Sequence, residues 1–323
     1  MQTRSLQRDH RAITLTITVM ALATGYAHAQ SYLVKPLRIV TASVGGGNDA
    51  LSRLIAGGIA TPLGQQVIVE NRAATVTASM VAKAPADGYT LLVGTSSVWL
   101  SQYVQKVTYD AVKDLAPVTL AATATNVLVV HPSMPVKSVK MLVALAKARP
   151  GELNYSTGAT GSTTHLAGEL FRYSTGVNIV RIPYKDTAME TTDQLSGQVH
   201  MTFGAAAQVK QHIQAGKLRS LAVTSAQPSA LFPGLPTMAA SGVPGYEIGT
   251  NYGVWMPAAV PPAIIARVNQ EITRLLKSSE IRDRVLGLGM DAIGSTAEEF
   301  DAFVKADMTR LGKVIREAGI RAD

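Results

Sequence analysis

The chain has 323 residues, 47% of them hydrophobic and 16% charged, with a formal net charge of +8. That is enough material for two globular domains with a proper core. No cysteine occurs, which excludes disulfides, cysteine nucleophiles and thiolate metal centres. The basic residues are scattered rather than clustered, so the positive balance suits attraction of small anions and not a nucleic-acid arm.

The first segment reads as an export signal. Arg4, Arg8 and Arg11 form a basic start, Ala12 to Thr24 is apolar, and Ala27-His28-Ala29 supplies the small residues that a signal peptidase reads. The apolar stretch falls short of the ~20 residues a membrane span needs. Cleavage after Ala29 is expected, leaving a soluble chain that starts at Gln30 in the periplasm.

β-rich runs then alternate with helical periodicity. Leu37 to Ala42 reads as a buried strand, followed by Gly45-Gly46-Gly47 and by a helix capped at Asn48 or Asp49 with Leu51, Leu54, Ile55 and Ile59 on its apolar face. Val67 to Glu70 and Thr90 to Val93 are further strands, with a short helix over Ala78 to Ala84 between them. Asn126 to Val130 is strongly β-forming and is a candidate crossover. After a helix opened by Ser138, the unit recurs: strand Leu153 to Ser156, loop Gly158 to Gly161, and a helix capped by Ser162 that carries Leu166, Leu170 and Phe171. Val177 to Ile182, Val199 to Phe203 and Ser220 to Val223 read as strands, with helices over Glu190 to Leu195 and Ala206 to Ala215. Such alternation points to βαβ units and a parallel sheet.

Tyr246 to Met256 is a second long extended segment. Two amphipathic helices follow, the last opened by a capping box at Ser295 and Glu298 and ended at Gly319. These helices lack strands of their own, so they need the N-terminal sheet to pack on. The first lobe is therefore expected to be discontinuous: residues 30–131 with 248–323, against 132–247 for the second, with hinges near Val130 and Gly249.

The two glycine loops carry the candidate chemistry. Gly45, Gly47 and Ala50 satisfy G-x-G-x-x-A, with Glu70 beyond, nearly a dinucleotide fingerprint, but an exported protein is not expected to meet that cofactor. The preferred reading is that backbone N–H groups at each helix start receive an anion. Ser162 lies outside a G-x-S-x-G elbow and His165 follows it on the same helix, so a secreted serine hydrolase using Ser162 is the rival reading, and His165 is expected to be structural. The histidines show no metal-binding spacing, and neither metal nor cofactor is expected. Glu70 is expected to pair locally. Lys185 either pairs locally or reaches the cleft. Trp99 and Tyr103 are expected to pack inside, the alternative being a flat aromatic wall for a ligand.

Many segments in order give a specific resemblance: KPLRIV with GGGND, LGQQVIVENR, ADGYTLLVGT, NVLVVHPSMPVKSV, GSTTHLAGELF, VRIPYK, LSGQVHMTF, AGKLRSLAVTS and GSTAEEF. The chain resembles the substrate-binding proteins of tripartite tricarboxylate transporters, the Bug or TctC-like proteins. The resemblance implies an α/β, two-lobed periplasmic binding protein of the type II, Venus-flytrap kind with two strand crossovers. It implies a monomer with no nucleic-acid partner, delivering a small carboxylate to integral membrane transporter subunits. The majority expectation is an aliphatic dicarboxylate or amino acid, and the minority one an aromatic acid.

Carried onto this sequence, the ligand loops are Ser43, Val44, Gly45, Gly46, Gly47, Asn48 and Asp49; Thr95, Ser96 and Ser97; Gly158, Thr160, Gly161, Ser162 and Thr163; Tyr184 and Lys185; and Phe203, Gly204 and Ala205. The chain departs from the family at Ser43-Val44, at Arg72 to Thr77, at Asp186, at His200 and at Gly204, positions that bear on ligand identity rather than on fold.

Overall fold

The computed structural model describes residues 33–42, 44–158, 160–184 and 187–321. The expected signal peptide and its cleavage site lie outside these.

In chain order the elements are β1 (Leu37–Ala42), α1 (Gly47–Leu63), β2 (Val67–Arg72), α2 (Ala74–Ala82), β3 (Thr90–Thr95), α3 (Ser97–Val104), β4 (Leu115–Val130), α4 (Val139–Ala148), β5 (Asn154–Thr157), α5 (Thr163–Thr175), β6 (Val180–Pro183), α6 (Thr187–Ser196), β7 (Met201–Ala205), α7 (Ala206–Gln214), β8 (Arg219–Val223), β9 (Gly249–Pro257), α8 (Pro262–Lys277), α9 (Ser279–Gly287), β10 (Asp291–Ala292) and α10 (Ala297–Glu317). The alternation anticipated from the sequence is therefore present.

One mixed sheet of ten strands runs β2-β1-β3-β9-β4-β7-β5-β6, with β8 and β10 also on β4. β1 pairs in parallel with β2 and β3, and β5 in parallel with β6 and β7. β4 joins the two sections. Its first part, Leu115 to Thr125, pairs antiparallel with β9, and Asn126 to Val130 pair with β7. The change of partner falls between Thr125 and Asn126. The early half of β4 escapes sequence reading because Ala121, Ala122 and Ala124 have weak β preference. They are strand because β9 and β10 pair with this stretch on its two sides.

Both faces are covered by helices, so the strands are apolar throughout, as parallel sheets are. A continuous buried cluster includes Trp99, Trp255 and Phe300 in one section and Phe171, Phe203 and Tyr246 in the other. Their rings stack in chains, Trp255 to Phe300 at 4.9 Å and Phe171 to Phe203 at 5.6 Å between centroids. Burying each phenylalanine stabilises the fold by about 1.5–3 kcal/mol. Among the described residues no helix is long and apolar enough to cross a membrane.

Candidate functional site

β1 delivers the first glycine loop. Helix α1 starts at Gly47, with Gly46 as its N-cap and no side-chain cap. The expected cap at Asn48 or Asp49 is not formed. Asp49 bonds backward instead: its Oδ2 accepts the Gly45 N–H at 2.9 Å, and Oδ1 accepts from Asn71 at 3.0 Å and pairs with Arg53 at 3.0 Å. The Gly45 N–H, then Arg53 and Asn71, hold the Asp49 carboxyl down to about 2. Gly47 must be glycine for space, since a Cβ there would lie 2.6 Å from the Tyr252 hydroxyl and 2.7 Å from the Met290 methyl. Val44 is 76% exposed. The buried Asn48 Oδ1 has no hydrogen-bond partner and borders a cavity of about 80 Å³ shared with Thr95 and Ser97.

The second loop follows β5. Ser162 caps α5 as anticipated, its Oγ accepting the His165 N–H at 3.3 Å. The Gly158 N–H donates to Thr164 Oγ1 at 2.9 Å, and the Gly161 N–H donates to His165 Nδ1 at 3.1 Å. An accepting Nδ1 means a neutral ring. Burial, then the Arg181 cation, lowers the His165 pKa to about 4. Thus the amides of Gly45, Gly158 and Gly161 are all taken by side chains of their own loops. The glycines shape the loops, and hydroxyls and the opening amides of the helices are left as donors.

Arg181 is the functional candidate that sequence reading missed. It comes from β6, whose register sets it opposite Tyr155. Its Nε donates to Thr157 Oγ1 at 2.9 Å, and its terminal nitrogens reach Thr160 Oγ1 and the Gly158 carbonyl at 3.3 Å. The available signal was that Arg181 is the only charged residue in VRIP.

Two of the expected loops meet. Thr95, Ser96 and Ser97 line one cavity of about 210 Å³ together with Gly161, Ser162 and Thr163. Thr250 in β9 closes its floor, donating to Thr163 Oγ1 at 3.0 Å, while the Asn251 N–H reaches Ser96 Oγ at 3.3 Å. A larger cavity of about 380 Å³ lies alongside, sharing Ile248, Gly249 and Leu311, but its described lining holds none of the expected loop residues.

The remaining candidates are committed elsewhere. The Tyr184 hydroxyl donates to Asp193 at 2.6 Å, and burial followed by that carboxylate pushes its pKa up to about 12. Phe203 is fully buried, and its carbonyl accepts from Asn126 Nδ2 at 2.7 Å. Gly204 packs against Val209, and Ala205 is the N-cap of α7. Ser43 and Lys185 lie outside the described residues. Trp99 is fully buried, its indole N–H donating to Asp307 at 2.8 Å, and the Arg316 cation covers the Tyr103 ring at 5.3 Å. Both aromatic side chains are thus engaged by α10. Glu70 pairs with Arg38 at 3.2 Å and with Arg72.

The arrangement offers hydrogen-bond donors from two chain segments around one cavity. Ser162 Oγ is spent on the helix cap, and His165 Nδ1 faces the Gly161 amide instead of that hydroxyl.

Residues 51–320 match the tripartite tricarboxylate transporter family receptor. The chain is 34% identical to protein BugT of Bordetella pertussis over 300 residues, 91% of this chain and 92% of the relative. Among solved structures, an R. palustris protein with adipate is 35% identical with a TM-score of 0.75, covering 89% of this chain and 98% of its own. The periplasmic binding protein BugD is 27% identical with a TM-score of 0.73, covering 89% and 99%. The chain belongs to the tripartite tricarboxylate transporter receptor family, and its α/β fold is that of the two-lobed periplasmic binding proteins.

Proposed function

We propose that this chain is a periplasmic receptor that captures a small carboxylate, foremost an aliphatic dicarboxylate, and delivers it to the integral membrane subunits of a tripartite transporter without catalysing a reaction. The observation that carries the reading is the meeting of Thr95–Ser97 with Gly161–Thr163 around one donor-rich cavity, floored by β9. The adipate-bound relative supports the choice of a diacid.

The lobes are residues 30–131 with 248–323, and 132–247. The change of partner along β4 at Thr125/Asn126 and the start of β9 at Gly249 support hinges where both connections cross. The basic start, the apolar stretch and Ala27-His28-Ala29 support export with cleavage after Ala29. The hydrolase alternative is disfavoured because Ser162 Oγ caps α5 and no base takes its proton among the described contacts.

A thermal-shift screen of small acids tests this. A bound acid at 100 times its dissociation constant adds ~2.7 kcal/mol of stability. Shifts produced only by neutral sugars or by cations would sink the carboxylate reading. Ester turnover abolished by Ser162→Ala would replace the receptor by an enzyme.

A further inference from the structure

Arg181 is a cation at the candidate cleft without a counter-ion. Among the described residues its four hydrogen bonds go to two hydroxyls and one carbonyl, all neutral. The acids around it are already engaged. Glu169 is gripped by Arg172 at 2.9 Å through both oxygens and by the Tyr155 hydroxyl at 2.6 Å. Asp193 accepts from Tyr184, and Glu190 accepts from Gln194 at 3.1 Å. A half-buried guanidinium left uncompensated is costly, and an anion arriving beside it recovers that cost.

The geometry says where the anion sits. Nε is anchored on Thr157, which aims the terminal nitrogens at the loop before α5. Thr160 Oγ1 lies 3.3 Å from both of them, on the axis of the fork. That is where a carboxylate oxygen binds an arginine, but at distances long for any acceptor. A carboxylate there makes bonds of ~2.7–2.9 Å, roughly twice as strong as neutral ones. The Thr160 hydroxyl can leave by one χ1 rotation. Its chain neighbours Gly161 and Ser162 line the cavity that Thr95 to Ser97 share.

We propose that Arg181 is the specificity-determining cation of the second lobe, receiving one carboxylate of the bound acid in the place now taken by the Thr160 hydroxyl. This rests on the receptor reading above. It selects ligands with a second carboxylate, because the first lobe's own charge at its glycine loop, Asp49, is negative and internally paired.

The test is calorimetric titration of the mature protein with adipate, succinate, L-malate and the monoacid hexanoate. Arg181→Gln is expected to weaken the tightest diacid about 30-fold or more and to shrink its advantage over hexanoate towards unity. Arg181→Lys keeps the charge without the fork and is expected to lose about 3- to 10-fold. Thr160→Val, which removes the internal competitor, leaves diacid affinity unchanged or raises it. Diacid affinity of Arg181→Gln within about 3-fold of wild type overturns this assignment and leaves the receptor reading standing. Wild-type protein that binds none of these acids overturns both. A loss in Thr160→Val as large as that in Arg181→Gln places the contact on the hydroxyl and overturns the assignment. Should Arg181→Gln fail to fold, Arg181→Lys decides, and wild-type affinity there overturns it.

Discussion

At the scale of single residues, the second glycine loop is held by His165 in one protonation state. Its Nδ1 accepts the Gly161 amide, which only the neutral ring with its proton on Nε2 allows. The folded pKa of about 4 lies below the ordinary 6.5, so between these values the unfolded chain binds the extra proton and stability falls as pH falls. Wild-type protein should therefore lose melting temperature from pH 6.5 to 4 more steeply than His165→Gln. At pH 7.5 the variant should be less stable by about 1 kcal/mol, the lost Gly161 hydrogen bond. Melting curves across that range check both signs. The Ser162 cap was legible in the sequence because a cap is made within three residues. Arg181 was not, because its side chain acts on a loop about twenty residues away that only sheet register brings near.

At the scale of elements, end signals in the sequence are sound in kind and off by a residue in place. The capping box of α10 is Thr296 with Glu299, where the sequence also offers Ser295 with Glu298. Ser295 is occupied otherwise, its Oγ accepting the Leu120 N–H at 3.0 Å and so tying the start of the helix to β4. Thr296→Ala should therefore cost about 1 kcal/mol, measured by denaturant unfolding, while Ser295→Ala should act through the sheet contact. Helix α3 went unread because Val98, Trp99 and Leu100 are consecutive apolar residues with no helical period. Contact with α10, through Trp99 to Asp307 and Tyr103 against Arg316, places it. α3 matters because its first turn presents Ser96 and Ser97 to the cavity.

At the scale of the whole molecule, β4 and β9 are the structural spine. They pair from Leu115↔Pro257 to Thr125↔Gly249 and then part, β4 continuing against β7 and β8. Gly249 approaches the spine closely, a Cβ there lying 3.1 Å from the Ala124 carbonyl oxygen. Two sections joined only by such strands should rotate about them, and a ligand favours the closed form only through contacts with both. X-ray scattering should show a smaller radius of gyration on saturation with the tightest acid, and an unchanged radius would argue against hinge closure.

The sequence by itself determined the α/β alternation, the two glycine loops at helix starts, the buried apolar faces and the family, because each is written in local periodicity, local capping chemistry or contiguous motifs. Only the tertiary structure decided which donors those loops retain. The Gly45, Gly158 and Gly161 amides are consumed by Asp49, Thr164 and His165, and the cation beside the second loop arrives from β6. The reason is physical. A hydrogen bond is a matter of a few tenths of an ångström between side chains that the chain order leaves far apart, and register, twist and packing set that distance.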